Sequence, residues 1–233
     1  RLISLLNVDY KILTKALVRR MEASDDVILK LKSLKPSSAP GPDGIHPRLL
    51  KECANELGLP LSIIFNLSME ENVLPGDWKR TNVTPIFKKG KRSSPDNYRP
   101  INLASVPAKV METLIKDTMM AHLQREDLIF PSQHGFLPGR SCTTNLLDYL
   151  NKVTRSLDKG EAYDVIMLDY RRAFDKVPFR HMIAKLESHG IDGDLLRWIV
   201  DWTTNRQQRV VLNGTHSEWT EVTSSVVRSE EHT

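Results

Sequence analysis

The segment TNVTPIFKKGKRSSPDNYRPINL, residues 81–103, constrains the fold of this chain most strongly. Two short runs suited to β-strands flank a polar loop that contains Gly90 and Pro95, so the segment reads as a hairpin with a long basic tip. If the runs pair, Lys88 and Arg99 stand at opposite feet of the loop and both can face one anion. A point-charge lysine beside a fork-shaped arginine suits a triphosphate. The same residues also fit an exposed hairpin kept soluble by its charges, and the residue types alone leave both readings open.

Helical patterns surround this hairpin. Residues 25–35 place Val27, Ile28, Leu31 and Leu34 on one face, with Ser24 as N-cap and Asp25–Asp26 as first-turn acids that complement the helix dipole. The stretch PSSAPGPDGIHP, residues 36–47, enforces a loop with at least one turn. RLLKECANEL and LSIIFNLSMEENV read as two helices divided at Pro60, and a further helix is expected over residues 106–124. FPSQHGFLPGRSC is another loop, in which Gly139 and Ser141 lead into a helix with a buried stripe of Cys142, Leu146, Leu147, Leu150, Val153 and Leu157. Its start suits either a phosphate held on free N–H groups or a simple cap. FRHMIAKLESHG and DGDLLRWIVDWTTN are helical, the first ending at Gly190, and Asn213-Gly214 marks a second hairpin. Strands interleaved with helices in this order make an α+β fold.

The remaining feature is VIMLDYRRAFDKV, residues 165–177, where an apolar run ends at Asp169 and then turns basic. Residues 165–168 suit a strand buried on both faces, with Asp169 emerging into a cleft. A carboxylate there suits Mg²⁺, which takes one or two carboxylates and completes its shell with waters and substrate phosphates. A local backbone bond that ends the strand is the plainer alternative.

Composition matters at three points. With 40% hydrophobic and 27% charged residues in 233, the chain has enough apolar material to fold. The net charge of +4 is mild, but KKGKR (residues 88–92) concentrates it, as an anionic partner would require. Two distant cysteines, Cys53 and Cys142, argue against a zinc site or a disulfide framework and for a reducing compartment. Neither a signal peptide nor an apolar run of the roughly 18 residues that span a membrane is evident. The expected location is intracellular, nuclear or cytoplasmic.

PGPDGIHP, WKRTNVTPIFKKGKR, DNYRPINL, SQHGFLPGRSC, VIMLDYRRAFDKV and QRVVLNGTHSEWTEVTS follow one another over residues 31–224. In order and spacing they resemble the reverse transcriptase of non-LTR (LINE-type) retrotransposons, most of all its jockey-like branch. The resemblance implies a right-hand polymerase, with mostly helical fingers, a basic hairpin and an incomplete antiparallel palm sheet. Such an enzyme extends a DNA primer on an RNA template with dNTPs and Mg²⁺, by target-primed reverse transcription.

Carried over by position, Asp169 resembles the first metal-binding aspartate of the palm, with the backbone carbonyl of Tyr170 as a second ligand. Phe174 resembles the aromatic gate that excludes a 2′-hydroxyl. Lys88 and Arg99 resemble the residues that grip the incoming triphosphate, and Gln133, Gly135, Phe136, Gly139 and Arg140 fall in the block near template and nucleotide.

The departures from the family pattern shape the expectation. Arg171-Arg172 stands in place of the usual Ser-Lys, and after EVTS the chain reads SVVRSEEHT where the family continues toward its Asp-Asp turn. The expected organisation is a misplaced LINE-derived segment over residues 1–24, a fingers-like region over 25–160, a partial palm over 161–224 and a tail unlike the family over 225–233. Residues 1–21 are expected to be fused from elsewhere, because RLISLLNVDYKILTKAL resembles the segment that follows the Arg-Pro-Ile block in a different LINE branch but here precedes the first finger block. An isolated chain of this kind is expected to lack polymerase activity, the alternative function being a noncatalytic remnant that binds nucleic acid through its basic fingers.

Overall fold

The computed structural model describes residue 21 and residues 24–170 and 177–222. The described residues divide into two compact units, those within 1–121 and 174–233 and those within 122–173.

In the first unit, helix α1 (Ser24–Ser33) buries Val27 and Leu31 and carries Asp25 and Asp26 in its first turn, as the pattern predicts. The loop after it turns at residues 41–44, with the Gly44 N–H donating to the Gly41 carbonyl at 3.1 Å. Helix α2 (Pro47–Glu52) follows, capped by the His46 ring, which accepts from the Arg48 N–H at 3.1 Å. Helix α3 (Ala54–Glu71) then runs straight through Pro60, which corrects the expected division there; the break falls at Cys53 instead. A proline inside a helix costs about 3 kcal/mol. Leu61, Phe65 and Met69, all buried beyond it, contribute about 2 kcal/mol each, which outweighs that cost. Gly58 lets α3 approach α1 closely, since a Cβ there would lie 2.3 Å from Ile28 Cγ1.

Strands β1 (Arg80–Phe87) and β2 (Tyr98–Ala104) form the expected hairpin, and helix α4 (Val106–Arg125) follows. Helices α6 (Phe179–Ser188) and α7 (Gly193–Thr203) precede strands β3 (Gln207–Leu212), β4 (Thr215–His216) and β5 (Thr220–Glu221). Gly190 has φ 76° just past α6, the left-handed position that ends helices. Asn213 and Gly214 both have positive φ, 49° and 79°, as the two-residue turn between β3 and β4 requires.

The two hairpins join in one sheet because β1 pairs with β3 in parallel, with Asn82 opposite Arg209. The sheet is therefore mixed: β4 and β5 each pair antiparallel with β3, and β1 joins β3 in parallel. Parallel neighbours need a long crossover, and the many residues between β1 and β3 provide one.

Beside the sheet lies a helical core in which Trp198, Phe65, Leu31, Met111, Leu114 and Leu195 are almost completely buried. Two polar clusters at this core are paired. The Trp198 indole donates to Ser68 Oγ at 2.9 Å, and that hydroxyl donates to the Val73 carbonyl at 2.7 Å. Asp201 accepts from the Leu74 N–H and from Lys79 Nζ, both at 2.7 Å.

The second unit contains the end of α4, a loop and helix α5 (Cys142–Asp158). The helix is where the sequence places it, but none of its residues is buried, and Leu146, Leu147, Leu150 and Leu157 are exposed. This corrects the expected buried stripe: among the described residues of this small unit there is no second apolar layer to cover it. Residues 161–170 form no strand, and Ile166 and Leu168 are 83% and 78% exposed. The strand expected over 165–168 is corrected as well. Burial on both faces needs paired edges, and no described strand bonds to this run.

Candidate functional site

The hairpin register decides whether Lys88 and Arg99 can act together. Arg99 lies opposite Ile86 and Tyr98 opposite Phe87, and the ladder continues through the Lys88 N–H, which donates to the Asn97 carbonyl at 2.8 Å. Side chains alternate along a strand and share a face with their cross-strand partners. Lys88 and Arg99 are thus diagonal neighbours on one face, both exposed, while Phe87 and Tyr98 occupy the other.

That other face orders the basic tip. Phe87 and Tyr98 pack edge to face with centroids 5.5 Å apart, and the Arg92 guanidinium sits 5.1 Å above the Phe87 ring. The Tyr98 hydroxyl donates to the Arg92 carbonyl at 2.9 Å, and Asn97 Nδ2 donates to the Lys91 carbonyl at 2.8 Å. Gly90, at φ 88°, leaves the space that Asn97 occupies. The loop is folded back upon the hairpin, and Arg92 is held against the Phe87 side.

The loop before α5 is built differently. Gln133 Nε2 donates to the Gly135 carbonyl at 3.0 Å, and Arg140 reaches back to the Pro131 carbonyl at 2.6 Å. Phe136 and Gly139 take left-handed backbone at φ 61° and 73°. At the start of α5 the Ser141 hydroxyl accepts from the Thr144 N–H at 3.2 Å and Thr144 Oγ1 accepts from the Ser141 N–H at 2.8 Å. The simple-cap reading is therefore the one observed, and Gln133 and Arg140 spend hydrogen bonds on the shape of the loop. The charge of Arg140 is felt on α5: the Asp148 carboxyl is held below its usual range mainly by its bond to Lys152, with smaller contributions from His134 and Arg140.

Asp169 and Tyr170 are exposed in the irregular run that ends the described part of the second unit. Phe174, with Arg171 and Arg172, lies outside the described residues. Lys88 and Arg99 belong to the first unit and Gln133, Gly135, Arg140, Asp169 and Tyr170 to the second. Among the described residues no group of three or more His, Cys, Asp or Glu side chains is placed to hold a metal ion. Nor is any described helix long and apolar enough to cross a membrane.

One cluster escapes the sequence reading. Arg80 on β1, Arg209 on β3 and Trp219 just before β5 converge, with guanidinium carbons 5.5 and 4.5 Å from the indole ring. The alternation of Arg209 with Val210 points to a polar face, but the parallel pairing that brings Arg80 alongside has no local sequence signal.

The profile of the reverse transcriptase (RNA-dependent DNA polymerase) family matches residues 86–226, which include Lys88, Arg99, the second hairpin and Asp169. A probable RNA-directed DNA polymerase from transposon BS of Drosophila melanogaster is 27% identical over 70% of the chain, covering 18% of that relative. The counterpart from transposon X-element of the same fly is 30% identical over 60% of the chain and 16% of its own length. The RNA-directed DNA polymerase from mobile element jockey of Drosophila funebris is 27% identical over 80% of the chain and 20% of its own length. The chain thus spans about a fifth of the length of the curated relatives it matches.

Proposed function

The chain belongs to the reverse transcriptase (RNA-dependent DNA polymerase) family, and from that premise we propose that it forms the nucleotide- and template-gripping part of a retrotransposon RNA-directed DNA polymerase. Residues 25–160 act as its fingers-like region and 161–224 as part of its palm. The observation that carries the reading is the hairpin register, which sets Lys88 and Arg99 side by side on an exposed face inside the matched segment.

On this reading the triphosphate of an incoming dNTP lies against that face. Arg99 presents a fork able to hold two phosphate oxygens and Lys88 a compact charge beside it. Arg92, held over Phe87 on the opposite face, adds to the positive charge of the hairpin, which attracts the RNA template and DNA primer by phosphate neutralisation. In the second unit, Gln133 and Arg140 fix the loop whose Gly135 and Phe136 face template and nucleotide. Phe174 is the proposed aromatic gate against a 2′-hydroxyl.

Asp169 is the proposed catalytic carboxylate, with the Tyr170 carbonyl beside it. Magnesium supplies charge stabilisation at the reacting phosphate in such enzymes. The described residues do not fit a complete two-ion centre, because no group of three carboxylates or other ligands is assembled among them. The gripping function, which needs only fixed cations, is the part these residues are equipped to perform.

The test is primer extension with the purified chain, an RNA template, a DNA primer, dNTPs and Mg²⁺. The expected result is a retarded protein–nucleic acid complex without extension. Extension that disappears on Asp169→Ala would give this chain a complete catalytic centre and overturn the assignment of gripping alone.

A further inference from the structure

Arg80, Arg209 and Trp219 line a cavity of about 320 Å³ together with Pro42, Asp43 and Asp77. All six belong to the first unit. We propose that this cavity receives one unpaired nucleotide of a nucleic-acid strand, apart from the Lys88–Arg99 face. The inference rests on the reading of the chain as one that handles nucleic acid.

The guanidiniums are held before any ligand arrives. Arg209 Nε donates to Asn82 Oδ1 at 2.9 Å while its guanidinium carbon lies 4.5 Å from the centroid of the Trp219 ring. Arg80 approaches the same ring and lies 3.8 Å from Asp77. Arginine planes fixed on an aromatic ring accept an unstacked base on their free face and offer N–H edges to a phosphate. A cavity of this size is at the lower end of small-molecule sites and suits one nucleotide.

The lining also selects the ligand class. Two arginines face two aspartates, so the cavity is not a simple anion trap. Asp43 Oδ1 accepts from the Ile45 N–H at 3.2 Å, whereas its Oδ2 is buried and accepts no hydrogen bond among the described residues. Inorganic phosphate or pyrophosphate would offer Asp43 and Asp77 only like charge. A nucleotide brings both kinds of group: phosphate and base acceptors for the arginines, and amino, imino or ribose hydroxyl donors for a carboxylate.

The test compares two RNA–DNA hybrids in fluorescence anisotropy, one blunt and one with a short single-stranded template extension. The intact chain is expected to bind the extended hybrid about tenfold more tightly, the scale of one base–aromatic stack. Trp219→Ala and Arg209→Lys are each expected to remove that advantage and leave the blunt hybrid unaffected. Because Arg209 lies in β3 and Trp219 directly precedes β5, the unmodified chain gives a second measurement: 4-thiouridine in the extension should photocrosslink to the peptide that carries Trp219. Equal affinity of the intact chain for the two hybrids, or crosslinks confined to other peptides, would overturn this site and leave the proposed function standing. Failure to bind either hybrid would overturn the proposed function itself.

Discussion

Gly41→Ala is expected to destabilise the chain by about 3 kcal/mol, the upper part of the usual range for overpacking, and to lower its melting temperature by about 10 °C. Gly41 is buried, and a Cβ on it would lie 2.6 Å from Ala104 C, Ala104 O and Ser105 N. All three are backbone atoms at the junction of β2 and α4, so no side chain can swing aside. Relief requires the 41–44 turn or the strand end to shift. Either movement displaces Asp43, and with it one wall of the nucleotide cavity. Gly76→Ala is the matched control, because a Cβ there meets nothing within 4 Å. Thermal unfolding of the two variants by circular dichroism separates them. A Gly41→Ala chain as stable as the Gly76→Ala chain would show that the close crossing of loop and strand is absent.

Glu112→Ala is expected to cost about 3 kcal/mol, because it leaves the Trp202 indole without its acceptor, a loss at the upper end of the range for an unsatisfied buried donor. Arg206 is 3% exposed, donates to the Trp202 carbonyl at 3.0 Å and lies 5.8 Å above the Trp202 ring. Glu112 accepts from the Trp202 indole at 2.8 Å. Burial pushes the Glu112 carboxyl up, against the opposing pull of Arg206, the indole bond and Lys109. Burial likewise lowers the Arg206 pKa, with Glu112 acting to raise it.

The pH dependence follows with a definite sign. A carboxyl raised in the folded state binds more protons there than in the unfolded chain, so its contribution is greatest at low pH. Stability falls as pH rises from the ordinary carboxylate range through the raised folded pKa. Glu112→Gln keeps an acceptor for the indole but cannot ionise, and is expected to flatten that part of the profile. Urea unfolding across this window checks it, and an identical decline in the Gln variant would place the titration elsewhere.

How far the sequence determines the fold locally can be read element by element. Helix α1 and the β1–β2 hairpin were legible because each carries its own period and its own turn residues, as Asn213-Gly214 does for β3 and β4. Pro60 misled because a local cost of one proline was weighed without the burial of Leu61, Phe65 and Met69 beyond it. The stripe on α5 and the run 165–168 misled in the opposite direction: apolar periodicity shows which side could be covered, not whether a neighbour covers it.

Sites follow the same division. The face shared by Lys88 and Arg99 is contained within one hairpin, so residue spacing suffices to place it. The Arg80–Trp219–Arg209 cluster depends on a parallel pairing between distant strands, and Glu112 meets Trp202 through tertiary packing of α4 on the α7 side of the core. No local pattern encodes either contact.

The central claim, that the Lys88–Arg99 face grips phosphate, is tested most directly by the salt dependence of binding. Affinity for an RNA template–DNA primer hybrid is to be measured over a range of KCl concentrations for the intact chain and for the Lys88→Ala/Arg99→Ala double variant. The expected result is a linear fall of log K with log salt, whose slope drops by about 2 in the variant, one for each phosphate contact removed. A variant with the same slope and the same affinity as the intact chain would contradict the claim.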